Sequence, residues 1–422
     1  MDVRIKPGLL KGDLIVPPSK SLSHRAIIAA GLAKGKSIIS NVLFSKDILA
    51  TISAIEALGA KVEKLKDSLI VEGSGKLKRI NDVIDSNESG STVRFMIPIA
   101  LTVDEPITFV GKNNLVNRPL DAFLNIFDEQ NIKYEKGDNT YLPLKVYNGI
   151  KPGIFKIKGD ISSQFITGLL YALPLLDGDS KIIITSNLES KGYIDLTIDM
   201  LKNFKIEIIN NDYKEFIIKG NQEYKPFNYQ VEGDYSQSAF FLVADILGSD
   251  INLLAMNPNS HQGDMKIIDD IKAFGGNISF ENNILKAYKT ETFGTTIDFS
   301  QSPDLGPALA VLASISKGKT EFINAGRLRI KECDRISCVK NELEKLGAKI
   351  KEYPSSMEFE GINEFNGGIL DSHNDHRLRM SFAVLATIAK DDIIIKNAEC
   401  VSKSFPNFFE VFESLGGKII YE

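Results

Sequence analysis

Cysteine is scarce. Cys333, Cys338 and Cys400 are the three in 422 residues. They form neither a disulfide framework nor a zinc spacing, which fits a reducing cytoplasm. The four histidines show no metal pattern, and only His373 and His376 lie close together. Long apolar runs are missing as well. The best candidate, residues 165–176, is broken by Thr167, Gly168 and Pro174 and falls short of the ~20 residues of a membrane span. There is no basic excess: net charge is −5, so no global field favours nucleic acid, and an anion site has to gather its cations locally. The N-terminus reads as a strand, so no signal peptide is expected. No G-x-G-x-x-G follows a strand, which leaves a dinucleotide site without support. Residues 30–37 and 313–320 end in Gly-Lys-Ser and Gly-Lys-Thr. Both carry Ala where a P-loop has its first Gly, and both sit on helix-to-strand turns, the reverse of a P-loop.

What is present is a repeat. At 43% hydrophobic and 25% charged residues, the composition is that of a soluble globular protein, and the length is too great for one ordinary core. A signature that ends a helix and starts a strand recurs: Leu58-Gly59-Ala60-Lys61-Val62, Gln130-Asn131-Ile132-Lys133, Asn203-Phe204-Lys205-Ile206, Phe274-Gly275-Gly276-Asn277, Leu346-Gly347-Ala348-Lys349 and Leu415-Gly416-Gly417-Lys418. Aligned on Ala60, the units carry their markers at 60, 132, 204, 276, 348 and 417, at intervals of 72, 72, 72, 72 and 69. Gly or Asn supplies the left-handed residue that closes a helix, and the residues after it alternate as a strand. Within each unit a strand also ends near an Asn: Asn41, Asn113, Asn187, Asn257, Asn324 or Asn397. Strands alternating with helices give an α/β class. Six units suggest two domains of three, with boundaries near residue 19 and residues 226–230.

Each unit starts a helix with small polar residues: Ser19-Lys20-Ser21, Ser89-Gly90-Ser91, Ser162-Ser163-Gln164, Tyr235-Ser236-Gln237, Ser302-Pro303-Asp304 and Asn374-Asp375-His376. Capping alone accounts for the serines. It does not account for Lys20, Arg25, Arg94 and Arg377, because cations in first turns oppose the helix dipole. Something anionic is expected to compensate them, and a helix start with added Lys, Arg and hydroxyls suits phosphate or carboxylate. Arg118 before Pro119, the polar run from Arg327 to Arg335, and Lys403 add further cations in loops. Taken singly, each is more often a surface feature than a site. Lys331, Glu332 and Arg335 have the spacing of ordinary helix ion pairs.

Taken together, Pro18-Ser19-Lys20-Ser21-x-Ser23-x-Arg25, Ser89-Gly90-Ser91-Thr92-x-Arg94, Asn117-Arg118-Pro119, Ser162-Ser163-Gln164, Lys331-Glu332-x-Asp334-Arg335, Asn374-Asp375-His376-Arg377 and Lys403-Ser404-Phe405-Pro406 resemble the 5-enolpyruvylshikimate-3-phosphate synthase family of enolpyruvyl transferases. The motifs stand in the family's order across nearly the whole chain. The resemblance implies a two-domain inside-out α/β barrel of six β-α-β-α-β-β units, three per domain. One domain would be 20–228, and the other 1–19 plus 229–422, which takes in the first strand. It implies transfer of the enolpyruvyl group of phosphoenolpyruvate to the 5-hydroxyl of shikimate 3-phosphate with release of phosphate, the step before chorismate in aromatic amino acid biosynthesis. The protein would be a cytoplasmic monomer without metal or cofactor and without nucleic-acid or membrane partners.

Carried over residue by residue, the resemblance assigns Ser21, Arg25, Ser162, Ser163, Ser190, Tyr193 and Lys331 to shikimate 3-phosphate, with Gln164 between the substrates. Lys20, Gly90, Arg118, Arg335, Arg377 and Lys403 fall to phosphoenolpyruvate. Asp304 becomes the general base and Glu332 the proton donor, and Lys20 joins them as the third catalytic residue. Such chemistry needs an acid for the methylene carbon, a base for the attacking hydroxyl, and cations for the departing phosphate. Domain closure would exclude water from the intermediate. The chain departs from the family at Glu88, where Asn is frequent, and at Arg327, also a frequent Asn. Two alternatives remain: the sister transferase acting on UDP-N-acetylglucosamine, and a non-catalytic anion-binding protein on the same scaffold. The first is disfavoured because all cysteines lie beyond residue 330 and Ser21 follows Lys20. The second has no use for Glu332.

Overall fold

The computed structural model describes residues 1–147 and 149–422. The chain forms two compact units, Pro18–Val231 and Met1–Pro17 with Glu232–Glu422. Each unit holds three four-stranded sheets. In every sheet one strand pair is parallel and the other two are antiparallel. In the sheet of Ile154–Ile157 and Ser180–Ile184, for example, those two strands run parallel while Glu215–Ile218 and Ile208–Asn211 complete the sheet antiparallel. A parallel pair needs a crossover, which in this sheet the helix Ser163–Ala172 supplies.

The chain's ends and crossings complete these sheets. The strand Val3–Lys6 pairs antiparallel with both Ile393–Lys396 and Lys418–Tyr421, so the sixth repeat is finished by the N-terminus. Two strands are exchanged. Lys11–Ile15, which precedes the helix Lys20–Leu32, pairs with Asp250–Leu254, whereas Tyr229–Gln230, which precedes the helix Tyr235–Ile246, pairs with Lys34–Ser40.

The two helices of a repeat bury differently, and the sequence dictates it. The first kind starts polar, runs on apolar and lies inside its unit: all of Tyr235–Ile246 is buried, as is Lys20–Leu32 from Leu22 onward. The helices Tyr235–Ile246, Gly306–Ile315 and His376–Ala386 pack on one another, and Gly90–Ala100 packs on Ser163–Ala172. There Gly168 is required, since a Cβ would stand 2.3 Å from the Arg94 carbonyl oxygen. The second kind is amphipathic and covers a sheet; Asp121–Gln130, for instance, buries Phe123, Leu124, Ile126 and Phe127.

The helix-ending signature holds, with one correction. The left-handed residues are Gly59, Asn131, Gly275, Gly347 and Gly416, as the sequence suggests, but in the third unit it is Lys205 rather than Asn203. Asn203 is the last residue of the helix Lys191–Asn203, so these turns are spaced 72, 74, 70, 72 and 69 residues apart. Of the strand-ending asparagines, Asn41, Asn113, Asn324 and Asn397 are left-handed, and Ala255 takes that conformation in the fourth unit. The two Gly-Lys turns do run from helix to strand.

Candidate active site

Three helix starts in Pro18–Val231 carry most of the expected anion-binding residues. Ser19 caps Lys20–Leu32, Ser89 caps Gly90–Ala100, and Ser162 caps Ser163–Ala172, each accepting from a backbone N–H of the first turn. Lys20 Nζ donates to Asp47 Oδ2 at 2.8 Å. The Arg25 guanidinium is buried; it donates to Thr197 Oγ1, the Ser21 carbonyl and the Tyr193 carbonyl at 2.8–2.9 Å and lies 5.2 Å from the Phe95 ring centre. Burial lowers its pKa. Ser21, Arg25 and Tyr193 are thereby brought together. Ser190, in left-handed conformation, stands at the N-terminus of the helix bearing Tyr193.

Gly90 and Arg118 also meet: a Cβ at position 90 would stand 2.7 Å from an Arg118 terminal nitrogen. Beside them, Arg94 donates to Gln164 Oε1 at 2.8 Å and to the Pro119 carbonyl at 3.2 Å, and Gln164 Nε2 donates to Ser91 Oγ at 2.9 Å. The Arg94 guanidinium lies 4.9 Å from the Phe165 ring centre. Gln164 is therefore fixed at both ends of its amide.

The other unit gathers the remainder. Asp304 sits in the short 3-10 turn Pro303–Leu305 that leads into Gly306–Ile315. Its Oδ1 accepts from Lys331 Nζ and Arg335, and its Oδ2 from Arg377, all at 3.1 Å. Glu332 is held by Arg335 at 2.9 Å and by Lys403 Nζ at 3.3 Å. Arg335 opens the helix Arg335–Glu344, which Asp334 caps. It is 1% exposed and makes its shortest bond, 2.7 Å, to the fully buried Asp375. Asp375 in turn caps His376–Ala386 by accepting from the Arg377 N–H. Four cations and three carboxylates thus interlock.

The electrostatics follow from this packing. Burial pushes the Asp304 carboxyl up, but Arg377, Lys331 and Arg335 outweigh it and hold the group well below the usual carboxylate range. Burial, opposed by Asp304 and helped by Arg335, lowers Lys331 to about 8. The Lys331–Arg335 run is not a solvated helix face.

For two of the four first-turn cations the compensating anion is a protein carboxylate: Asp47 for Lys20, and Asp304 for Arg377. Asp47, Asp375 and the clamp of Arg94 on Gln164 escaped the residue-by-residue assignment. Asp47 gave no signal because Asp in the first turn of a helix is what the dipole favours. Asp375 stands in a quoted motif but reads there as a cap. Of the two departures, Glu88 accepts from the Asn113 side chain, and Arg327 donates to the Ser300 carbonyl at 2.6 Å. Among the described residues no group of His, Cys, Asp and Glu is arranged to hold a metal ion, and no helix is long and apolar enough to cross a membrane.

The family model described as EPSP synthase (3-phosphoshikimate 1-carboxyvinyltransferase) matches residues 5–412. Proteins named 3-phosphoshikimate 1-carboxyvinyltransferase from Clostridium novyi (strain NT) and Clostridioides difficile (strain 630) are 51% and 52% identical to the chain, each match covering 99% of it and 98% of the relative. A 2.37 Å structure of EPSP synthase from Acinetobacter baumannii superposes with a TM-score of 0.82 at 25% identity, covering 100% of both chains. The chain therefore belongs to the EPSP synthase (3-phosphoshikimate 1-carboxyvinyltransferase) family.

Proposed function

We propose that the chain transfers the enolpyruvyl group of phosphoenolpyruvate to the 5-hydroxyl of shikimate 3-phosphate, releasing inorganic phosphate. The interlocked cluster of Asp304, Glu332, Lys331, Arg335, Arg377 and Lys403 carries this reading. It presents two carboxylates able to handle protons inside a cage of cations able to hold a phosphate and a carboxylate. Ser21, Arg25, Ser162, Ser163, Ser190, Tyr193 and Lys331 take shikimate 3-phosphate. Lys20, Gly90, Arg118, Arg335, Arg377 and Lys403 take phosphoenolpyruvate, and Gln164 touches both. The enzyme acts as a cytoplasmic monomer.

The reaction runs by addition and elimination. Glu332 protonates C3 of phosphoenolpyruvate while the 5-oxygen bonds to C2 and Asp304 takes the hydroxyl proton. The tetrahedral adduct then returns a C3 proton to the Glu332 carboxylate as the bond from C2 to the phosphate oxygen breaks and phosphate leaves. An ionised, tightly paired Asp304 is a weak base. When Arg335, Arg377 and Lys331 turn to the substrate anions, its pKa rises toward the useful range. The same exchange releases Glu332 from Arg335 and Lys403, so that it can carry a proton. Turnover with shikimate 3-phosphate as acceptor and none with UDP-N-acetylglucosamine is the expected result; the reverse preference would overturn the reading.

Two expectations concern affinity. Gly90→Ala forces the Arg118 guanidinium aside, and because the clash is with the far end of a flexible side chain, the fold persists. Weakening one charge-assisted bond should raise KM for phosphoenolpyruvate about tenfold, with KM for shikimate 3-phosphate unchanged in steady-state kinetics. Lys331 is charged below about pH 8 and neutral above it. An anion that binds the charged form raises this pKa, so affinity for shikimate 3-phosphate should be constant below pH 8 and fall above it. Lys331→Arg, charged throughout, should flatten the profile between pH 7 and 10.

A further inference from the structure

We propose that His24, Thr51, Thr92 and Ser89 form a buried positioning network that sets the phosphoenolpyruvate-binding groups of Pro18–Val231, an inference that rests on the function proposed above. His24 Nδ1 lies 2.7 Å from Thr51 Oγ1, which lies 2.7 Å from Thr92 Oγ1, which donates to Ser89 Oγ at 2.7 Å. All four residues are fully buried. They come from three different helix starts, and each stands beside a residue with a task. His24 is one turn beyond Lys20. Thr51 is one turn beyond Asp47, the partner of Lys20. Ser89 and Thr92 flank Gly90, against which Arg118 rests. Thr92 Oγ1 also reaches the Asp47 carbonyl at 3.5 Å. Residues four apart share a helix face, so the network lies one turn beneath the Lys20–Asp47 pair.

The chemistry favours geometry over proton transfer. A relay would need an outlet at His24 Nε2, which has no hydrogen-bond partner among the described residues; the ring meets Phe95 edge-on at 6.4 Å. Burial, helped by Lys20, holds the imidazole down to about 3, so His24 stays neutral through the working range and the network does not switch with pH. In a low-dielectric interior these groups are satisfied mainly by one another, and such networks specify one arrangement.

Thr51→Val keeps the shape and removes the hydroxyl; Thr51→Ser keeps the hydroxyl. Thr51→Val should raise KM for phosphoenolpyruvate about tenfold, the equivalent of one lost buried hydrogen bond, and leave KM for shikimate 3-phosphate within about twofold. Thr51→Ser should stay close to wild type. Acetylation of Lys20 by acetic anhydride, followed by mass spectrometry, should change several-fold in Thr51→Val only. If Thr51→Val fails to fold, His24→Leu replaces it and His24→Asn, which keeps a polar atom near Nδ1, serves as the rescue. Unchanged Lys20 labelling with an unchanged ratio of KM values in a folded variant would overturn the network's role, as would equal rises in both KM values. Altered labelling in a protein whose wild type turns over neither substrate would uphold the network and refute the proposed function.

Discussion

Glu332→Gln should lower kcat by about 10³-fold, within the 10²–10⁴ that a positioned general acid supplies, with the dissociation constant for shikimate 3-phosphate unchanged. Glu332 bonds Arg335 and Lys403, both assigned to phosphoenolpyruvate, so its loss leaves the contacts to the sugar-like substrate in place. Gln keeps the size and accepts one hydrogen bond, but it cannot deliver a proton to C3. It also removes a negative charge from two cations, so KM for phosphoenolpyruvate should hold or fall. Rapid-quench measurement of the chemical step, with calorimetry for shikimate 3-phosphate binding, would check both parts. A variant that runs at full rate would remove Glu332 as the acid.

Arg335→Ala should abolish turnover and also destabilise the fold, by about 3–5 kcal/mol, because it leaves a buried charge without its main partner. Arg335 is 1% exposed and Asp375 is fully buried. Removing the guanidinium strands Asp375 against the Arg377 N–H and the Cys333 thiol. It also takes a cation from Asp304 and from Glu332, so the carboxylates that handle protons lose their placement together. The unfolding midpoint should fall by roughly 6–20 °C for a unit of this size. Arg335→Lys should rescue little, since one ammonium cannot span three carboxylates that the planar fork reaches together. An unfolding midpoint equal to wild type would show that Asp375 does not depend on Arg335.

What could be read from the sequence was local. Helix starts at Ser19, Ser89 and Ser162 follow from capping chemistry within three residues, and the ends at Gly59, Gly275, Gly347 and Gly416 from the left-handed freedom of glycine. Lys205 escaped because nothing in a lysine marks a left-handed turn. The motif resemblance supplied the residues of the cation cage, which spacing alone would have left as surface pairs. What stayed hidden was pairing at long range. Lys20 finds Asp47, Arg335 finds Asp375, and Arg94 finds Gln164 across 27, 40 and 70 residues. The pairing of Tyr229–Gln230 with Lys34–Ser40 is likewise a property of the folded chain. A carboxylate that neutralises a site cation looks, in sequence, like any helix-capping aspartate.

The most direct test of the account is the reaction of shikimate 3-phosphate with phosphoenolpyruvate in D₂O, followed by NMR. One inorganic phosphate should be released for each enolpyruvyl ether formed, with deuterium entering the vinyl position of the product because C3 is protonated and then deprotonated. Absence of phosphate release would contradict the assigned reaction. Release with a vinyl group that carries no deuterium would contradict the role of Glu332 as the acid at C3.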